Sequence, residues 1–240
     1  MSPPDGARLC RAVAATWPAA DSTRLGPWTI REGRGGGQRA SAATADDPFA
    51  PEDIARAERA MRDLGQEPLF WIRDGDTALD NALEDAGYRV HDPVALYAIE
   101  TARLTDTPLP RVAAFTIWPP LALMNDLWDE AGIGPARRAV MARVAGPKAG
   151  ILARQNDRPA GVAFVACDDT VAMIHAIDVV PAQRRQGVGV NILRKAAFWA
   201  EEQQADTLAL AVTRANGPAN ALYASIGMEI VGYYHYRLRK

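Results

Sequence analysis

Cysteine is nearly missing from this chain: Cys10 and Cys167 are the two among 240 residues. That excludes a disulfide framework. Neither has a Cys-x-x-Cys partner or a histidine at metal-ligand spacing, so no metal is expected and both read as buried small hydrophobes. Long hydrophobic runs are missing too. No segment approaches the roughly 18 apolar residues that a membrane-crossing helix needs. Met1 to Arg11 is polar and proline-bearing, without the apolar centre of a signal peptide. No membrane association and a cytoplasmic location are therefore expected. Lysine is scarce beside arginine, alanine, glycine and proline, the bias of a GC-rich bacterial genome. No concentrated basic stripe is present, which argues against a nucleic-acid partner.

What the chain does contain is ordinary for a globular protein: 48% hydrophobic and 23% charged residues. Its charge is divided. Acidic residues outnumber basic ones over 1–105, and basic residues outnumber acidic ones over 106–240, which suits a small polyanionic ligand there.

Arg31 to Asp47, with the run Gly35-Gly36-Gly37, reads as a flexible loop. Helical patterns follow at Glu52–Leu64 and Asp80–Ala86, each closed by a glycine, with strands at Pro68–Ile72 and Val94–Ile99. Thr101 to Pro110, rich in Thr and Pro, reads as a linker, giving two expected domains, 1–105 and 106–240. After it come a strand at Val112–Trp118 and helices at Leu121–Ala131 and Arg137–Val144. Strands follow at Ala149–Arg154 and Gly161–Cys167. The nearly unbroken apolar run Val171–Val180 predicts a central strand buried on both faces. A helix (Val188–Gln204), a strand (Thr207–Val212), a helix (Pro218–Ile226) and a strand (Glu229–Leu238) complete a mixed α/β pattern. The order strand, turn, short helix, glycine, strand occurs twice, at Leu69–Ile99 and Leu208–Leu238. Aligning Gly87 with Gly227 sets Leu83 opposite Tyr223, Asp76 opposite Asn216 and Leu79 opposite Ala219. This hints at duplication.

Two motifs carry chemistry. In Val179-Val180-Pro181-Ala182-Gln183-Arg184-Arg185-Gln186-Gly187-Val188-Gly189 a buried strand ends and an Arg-x-x-Gly-x-Gly loop opens an amphipathic helix. Glycines admit a close ligand, the helix start offers unpaired N–H groups, and Arg184 and Arg185 add positive charge. The P-loop Lys-Ser/Thr is missing, and the spacing is not that of Gly-x-Gly-x-x-Gly. The second motif runs from Asn216 to Met228. Asn216 is placed to cap a helix, Pro218 falls in its first turn, and Gly227 ends it. Tyr223 lies about two turns on, along the same face, where a phenol can donate a proton.

Together these residues resemble the GCN5-related N-acetyltransferase (GNAT) superfamily over roughly residues 110–240, with Met228 where relatives carry Phe. The resemblance implies a GNAT fold: a central, mixed, twisted sheet flanked by helices. It implies that the amides of Arg185, Gln186, Gly187, Val188 and Gly189 hold the pyrophosphate of acetyl-CoA, the expected co-substrate. Val179 and Val180 would pair with the pantetheine arm, Asn216 would meet its other side, and Tyr223 would protonate the departing thiolate. Asp178 and His175 are the candidates for the base. Being three positions apart, they should face opposite sides of the sheet unless a bulge re-aims one. A Glu that some relatives carry on the next strand is absent; Ala209 and Ala211 stand there. The implied reaction is direct attack by an amine on the thioester in a ternary complex.

The acceptor, small molecule or peptide, is open. Trp118, Trp128, Asp129 and Glu130 are candidate groove residues, with Tyr233 to Tyr236 crowding the last strand. The N-terminal half lacks the loop motif and reads as a degenerate second copy of the fold that shapes the acceptor site or covers a sheet edge. A monomer or homodimer is expected. A non-catalytic acyl-CoA-binding regulatory module with the same fold is the alternative.

Overall fold

The computed structural model describes residues 4–239. In chain order the elements are α1 (Gly6–Thr16), β1 (Asp21–Leu25), β2 (Trp28–Glu32), α2 (Gln38–Ser41), β3 (Thr44–Ala45), α3 (Pro51–Asp63), β4 (Leu69–Arg73), α4 (Thr77–Asp85), β5 (Arg89–Glu100) and α5 (Ala102–Thr105). They continue with β6 (Ala114–Ile117), α6 (Ala122–Glu130), α7 (Pro135–Arg143), β7 (Lys148–Gln155), β8 (Arg158–Asp168) and β9 (Val171–Val179). A 3-10 turn (Pro181–Gln183), α8 (Val188–Glu202), β10 (Thr207–Thr213), α9 (Gly217–Ser225) and β11 (Glu229–Leu238) follow. The mixed α/β expectation holds, and the strands of both halves share one eight-stranded sheet, in the order β4-β11-β5-β10-β9-β8-β7-β6. A smaller sheet, β1-β2-β3, packs with α3 and α4 around Trp28, Phe70 and Leu83.

The two halves exchange strands. β5 of the N-terminal half lies against β10, and β11 of the C-terminal half lies against β4. The registers are symmetric under the Gly87/Gly227 alignment. Val94 pairs with Thr213 where Tyr234 pairs with Arg73, and Glu229↔Ala98 has its counterpart in Leu238↔Arg89. A local twofold axis therefore passes between β5 and β11, and it relates α4 to α9 and α3 to α8. Because each half's last strand is sandwiched between strands of the other half, neither half's sheet is complete alone.

Apolar residues cover both faces of the sheet. On one, α8 buries Val188, Ile192, Leu193, Ala196 and Ala197 against Ala163, Val165, Ile174 and Leu210. On the other, α1 buries Leu9 and Val13 against Met173 and Leu96, and α6 and α7 bury Met124, Trp128 and Val140 against Phe164. Each buried Val, Leu, Ile, Met or Phe among them contributes about 1.5–3 kcal/mol by leaving water.

Several readings of the sequence need correction. The polar N-terminus leads into α1, whose Asp5 side chain caps Arg8 N–H at 2.7 Å and whose buried face carries Leu9, Cys10, Val13 and Thr16 at helical spacing. Arg31–Asp47 is not a flexible loop. It carries β3 and α2, and the Trp17 indole donates to the Gly36 carbonyl at 3.2 Å. The Thr101–Pro110 stretch is anchored at its start: Thr101 N–H donates to the Asp206 carbonyl at 2.8 Å, and Leu104 is buried. Cys10 and Cys167 are buried and free, and burial pushes their thiols up, to about 12 and about 11.

Candidate active site

β9 and β10 run parallel only from Val171↔Thr207 to Ile174↔Leu210. Beyond that point β10 stays on β5, β9 stays on β8, and a wedge opens between them. The splay coincides with a bulge. Ala176 has φ +51°, the β8–β9 register slips between His175 and Asp178, and the Trp128 indole donates to the Ala176 carbonyl at 3.0 Å. The extra residue resolves the parity problem between His175 and Asp178. Ile177 and Val179 pack on the α8 side, so alternation sends Asp178 to the face that His175 occupies.

At the α8 end of the wedge the chain turns through the 3-10 segment into Gly187, which caps the helix at φ +81°, a conformation that costs any side chain. Arg185 also sits at positive φ, +62°. The first bond back onto the cap is Asn191 N–H to the Gly187 carbonyl, 3.0 Å. The amides of Val188, Gly189 and Val190 thus precede any helical acceptor and point out of the helix start. The two glycines of the motif serve different needs. A Cβ at Gly187 would meet open space, whereas one at Gly189 would sit 2.9 Å from Leu222 Cδ2, so Gly189 is what lets α9 close on α8. The arginines divide as well. Arg184 folds back, donating from Nε to the Val179 carbonyl at 2.8 Å and reaching Asp178 at 3.7 Å. Gln186 closes the loop through the Ala182 carbonyl at 3.1 Å. Val180 N–H is used by the Ala160 carbonyl at 2.9 Å.

On α9 the Asn216 side chain accepts from Ala219 N–H at 3.2 Å, so it caps as its position required. Tyr223 is 6% exposed and lies 5.6 Å, ring to ring, from Tyr97. Burial pushes its phenol up to about 12, so it stays protonated at neutral pH. Tyr97 comes from β5, in the other half, and its hydroxyl donates to Asn220 Oδ1 at 3.1 Å; the Asn220 amide in turn donates to the Thr213 carbonyl. Neither Tyr97 nor Asn220 stands out in the sequence, because the strand exchange that joins them is a long-range event.

Through the wedge, on the opposite face, lies a cavity of about 380 Å3 reached by Trp17, Arg39, Asp92, Arg137, His175 and Tyr236. Ala176 of β9 and Thr213 of β10 stand at its inner edge. His175 is 2% exposed. The Thr16 hydroxyl donates to the Ala12 carbonyl at 2.6 Å, so its oxygen accepts from His175 Nε2 at 2.8 Å. That assignment leaves the lone pair on Nδ1, which faces Arg39 Nη1 at 3.4 Å. Burial, with the Arg39 charge adding to it, holds the imidazole well below its ordinary value, so it is neutral. Arg39 also donates to the Tyr234 hydroxyl at 3.1 Å and to the Ala211 carbonyl at 2.8 Å. Arg39 gave no signal in the sequence, where it follows a glycine run.

The groove residues suggested by the sequence are mostly elsewhere. Trp128 is fully buried and supports the bulge, Asp129 is ion-paired with Arg138, and Trp118 lies under Lys148. Tyr234 and Tyr236, by contrast, do line the cavity.

Residues 120–228 match the family model described as the acetyltransferase (GNAT) family. A protein of Bacillus subtilis (strain 168), the uncharacterized N-acetyltransferase YobR, is 26% identical over 248 residues, spanning 97% of this chain and 98% of its own length. Among solved structures, the GCN5-related N-acetyltransferase from Kribbella flavida superimposes with a TM-score of 0.74 at 19% identity, over 98% of this chain and 95% of that one. A tandem GNAT protein from the clavulanic acid biosynthesis pathway does so with a TM-score of 0.62 at 12% identity, over 94% and 85%. At those identities the two structures share the fold. The motif match, the splayed parallel strands and the open helix start accord with the likeness of residues 120–228 to the GNAT family of acetyltransferases.

Proposed function

We propose that the protein transfers the acetyl group of acetyl-CoA to an amine by direct attack within a ternary complex. The observation that carries this reading is the wedge between β9 and β10. Its two edges, Ala176 of β9 and Thr213 of β10, line the cavity, and β9 leads on to the uncapped start of α8. The amides of Arg185, Gln186, Gly187, Val188 and Gly189 would hold the pyrophosphate, with Arg185 free to add charge while Arg184 fixes the loop. The pantetheine arm would run along Val179 and Val180, with Asn216 across from it. Polarisation of the thioester carbonyl would fall to β9 backbone freed by the splay.

In the chemical step the amine nitrogen attacks the thioester carbon. The tetrahedral intermediate collapses, the C–S bond breaks, and Tyr223 gives its proton to the leaving thiolate. Burial keeps its phenol protonated, as a donor must be before the step. The amine's surplus proton would pass to Asp178 or to water. His175, neutral and with its lone pair turned to Arg39, is better suited to holding that guanidinium than to taking a proton. Much of the acceleration would come from placing amine and thioester together.

The N-terminal half would be a degenerate copy of the fold without its own CoA site. The symmetric registers support duplication. The helix equivalent to α8, α3, begins with Pro51, Glu52 and Asp53, and the Asp53 carboxylate accepts from Ala50 N–H at 3.0 Å. An acidic, self-capped helix start repels a pyrophosphate.

Thiol release from acetyl-CoA across a broad amine panel tests the reading. Turnover that drops in Tyr223→Phe supports it. Binding of acetyl-CoA with no turnover for any amine would favour the non-catalytic module.

A further inference from the structure

The cavity beyond the wedge has a charge that the acetyl donor does not explain. Resting on the acetyltransferase reading, we infer that the acceptor is a small amine that also carries an anionic group, held by Arg39 and Arg137.

Arg39 is the centre of the argument. Its guanidinium is packed among Tyr234, His175 and the end of β10, and its three hydrogen-bond partners are a hydroxyl, an imidazole and a backbone carbonyl, all neutral. No carboxylate lies within ion-pair distance of it among the described residues. A guanidinium drawn partly from water with only neutral hydrogen-bond partners is costly, and Arg39 lines the cavity with N–H groups to spare. Arg137 stands on the other side, beside Gly37, and among the described residues it too has no ion-pair partner. The one carboxylate lining the cavity is Asp92, set at φ +51° where the β5–β11 register slips. With His175 neutral, two fixed positive charges face one negative charge.

The second observation is Tyr236. It is 2% exposed and lines the cavity, yet its hydroxyl has no hydrogen-bond partner. The neighbouring Tyr234 hydroxyl accepts from Arg39 Nε. A buried phenol without a partner, beside two guanidinium groups that share one carboxylate, is the donor set of an anion pocket. The amine end of such an acceptor would lie toward Ala176 and Thr213, where the wedge meets the cavity.

Carboxylate and phosphate share this chemistry, so the test uses matched pairs. L-phenylalanine is compared with phenethylamine, and O-phosphoethanolamine with ethanolamine, by initial rates of thiol release at fixed acetyl-CoA. The expected result is kcat/KM at least tenfold higher for the anionic member of one pair, which also identifies the anion. Arg137→Gln, a change at an exposed position, should shrink that ratio severalfold through KM; Arg39→Gln should abolish it if the variant folds. Equal or better turnover of the neutral-bodied amines overturns the inference while leaving acetyl transfer standing. Should acetyl-CoA bind and no amine turn over, the catalytic reading fails instead. Calorimetry with N-acetylphenylalanine against N-acetylphenethylamine, with CoA present, then decides the pocket: no preference for the acid overturns it.

Discussion

The Tyr97 hydroxyl of one half donates to the Asn220 side chain of the other at 3.1 Å, and the Tyr97 ring packs 5.6 Å from that of Tyr223. The residue proposed to protonate the leaving thiolate is thus held in place by a strand from the half that lacks the motif. Tyr97→Phe removes one part-buried hydrogen bond and should cost about 1 kcal/mol in urea unfolding. It should also lower kcat severalfold with little change in stability of α8. A variant that loses stability but keeps its full kcat would separate Tyr97 from the site.

Tyr223→Phe should lower kcat by about 10²-fold, the usual weight of a positioned proton donor, with KM for acetyl-CoA nearly unchanged. Because burial pushes the phenol to about 12, the wild-type rate should show no alkaline loss attributable to this group up to about pH 10. An alkaline fall that vanishes in Tyr223→Phe would contradict the role.

The helix start should discriminate between its two glycines. Gly187→Ala forces a side chain into φ +81° and should cost about 1–2 kcal/mol of stability, along with a weakening of acetyl-CoA binding of at least tenfold in calorimetry. Gly189→Ala pushes a methyl to 2.9 Å from Leu222 and should mainly shift α9, so kcat falls through Tyr223. Equal effects of both on binding alone would contradict this division.

These glycines also mark how far sequence reading reached. The loop, its helix and the Asn216–Gly227 segment were legible because their chemistry is local: turn residues, caps and apolar period are adjacent in the chain. The repeated order of β4, α4 and β5 was visible for the same reason. The cavity beyond the wedge was not. Arg39, Asp92 and Tyr236 come from three distant segments, and what brings them together is an exchange of strands between halves, set by long-range pairing that no local window contains. Trp128 shows the limit from the other side: it attracted notice as an acceptor-groove aromatic, but its burial and its bond to the Ala176 carbonyl make it the prop of the bulge.

Acid should destabilise the protein in two stages. An unfolded histidine takes up a proton near pH 6.5, whereas buried His175 refuses it, so the unfolded state binds more protons and stability falls as pH drops below about 6.5, by up to about 1.4 kcal/mol per unit. His175→Gln should flatten this slope between pH 7 and 5. Lower still, burial would raise the Asp80 carboxyl, but hydrogen bonds from Arg237 and His235 outweigh it and hold it below its ordinary 3.8. That contribution is complete above the unfolded value and is lost as pH falls through the folded one, so Asp80→Asn should remove part of the loss seen below about pH 4. Urea midpoints across pH 3–7 check both.

The most direct measurement is a structure of the protein with CoA bound. The pyrophosphate should lie on the amides of residues 185–189, with the pantetheine arm between β9 and β10 and the thiol beside Tyr223, opening toward the cavity of Arg39 and His175. CoA seated at the start of α3 in the N-terminal half, or with its thiol outside the wedge, would contradict it.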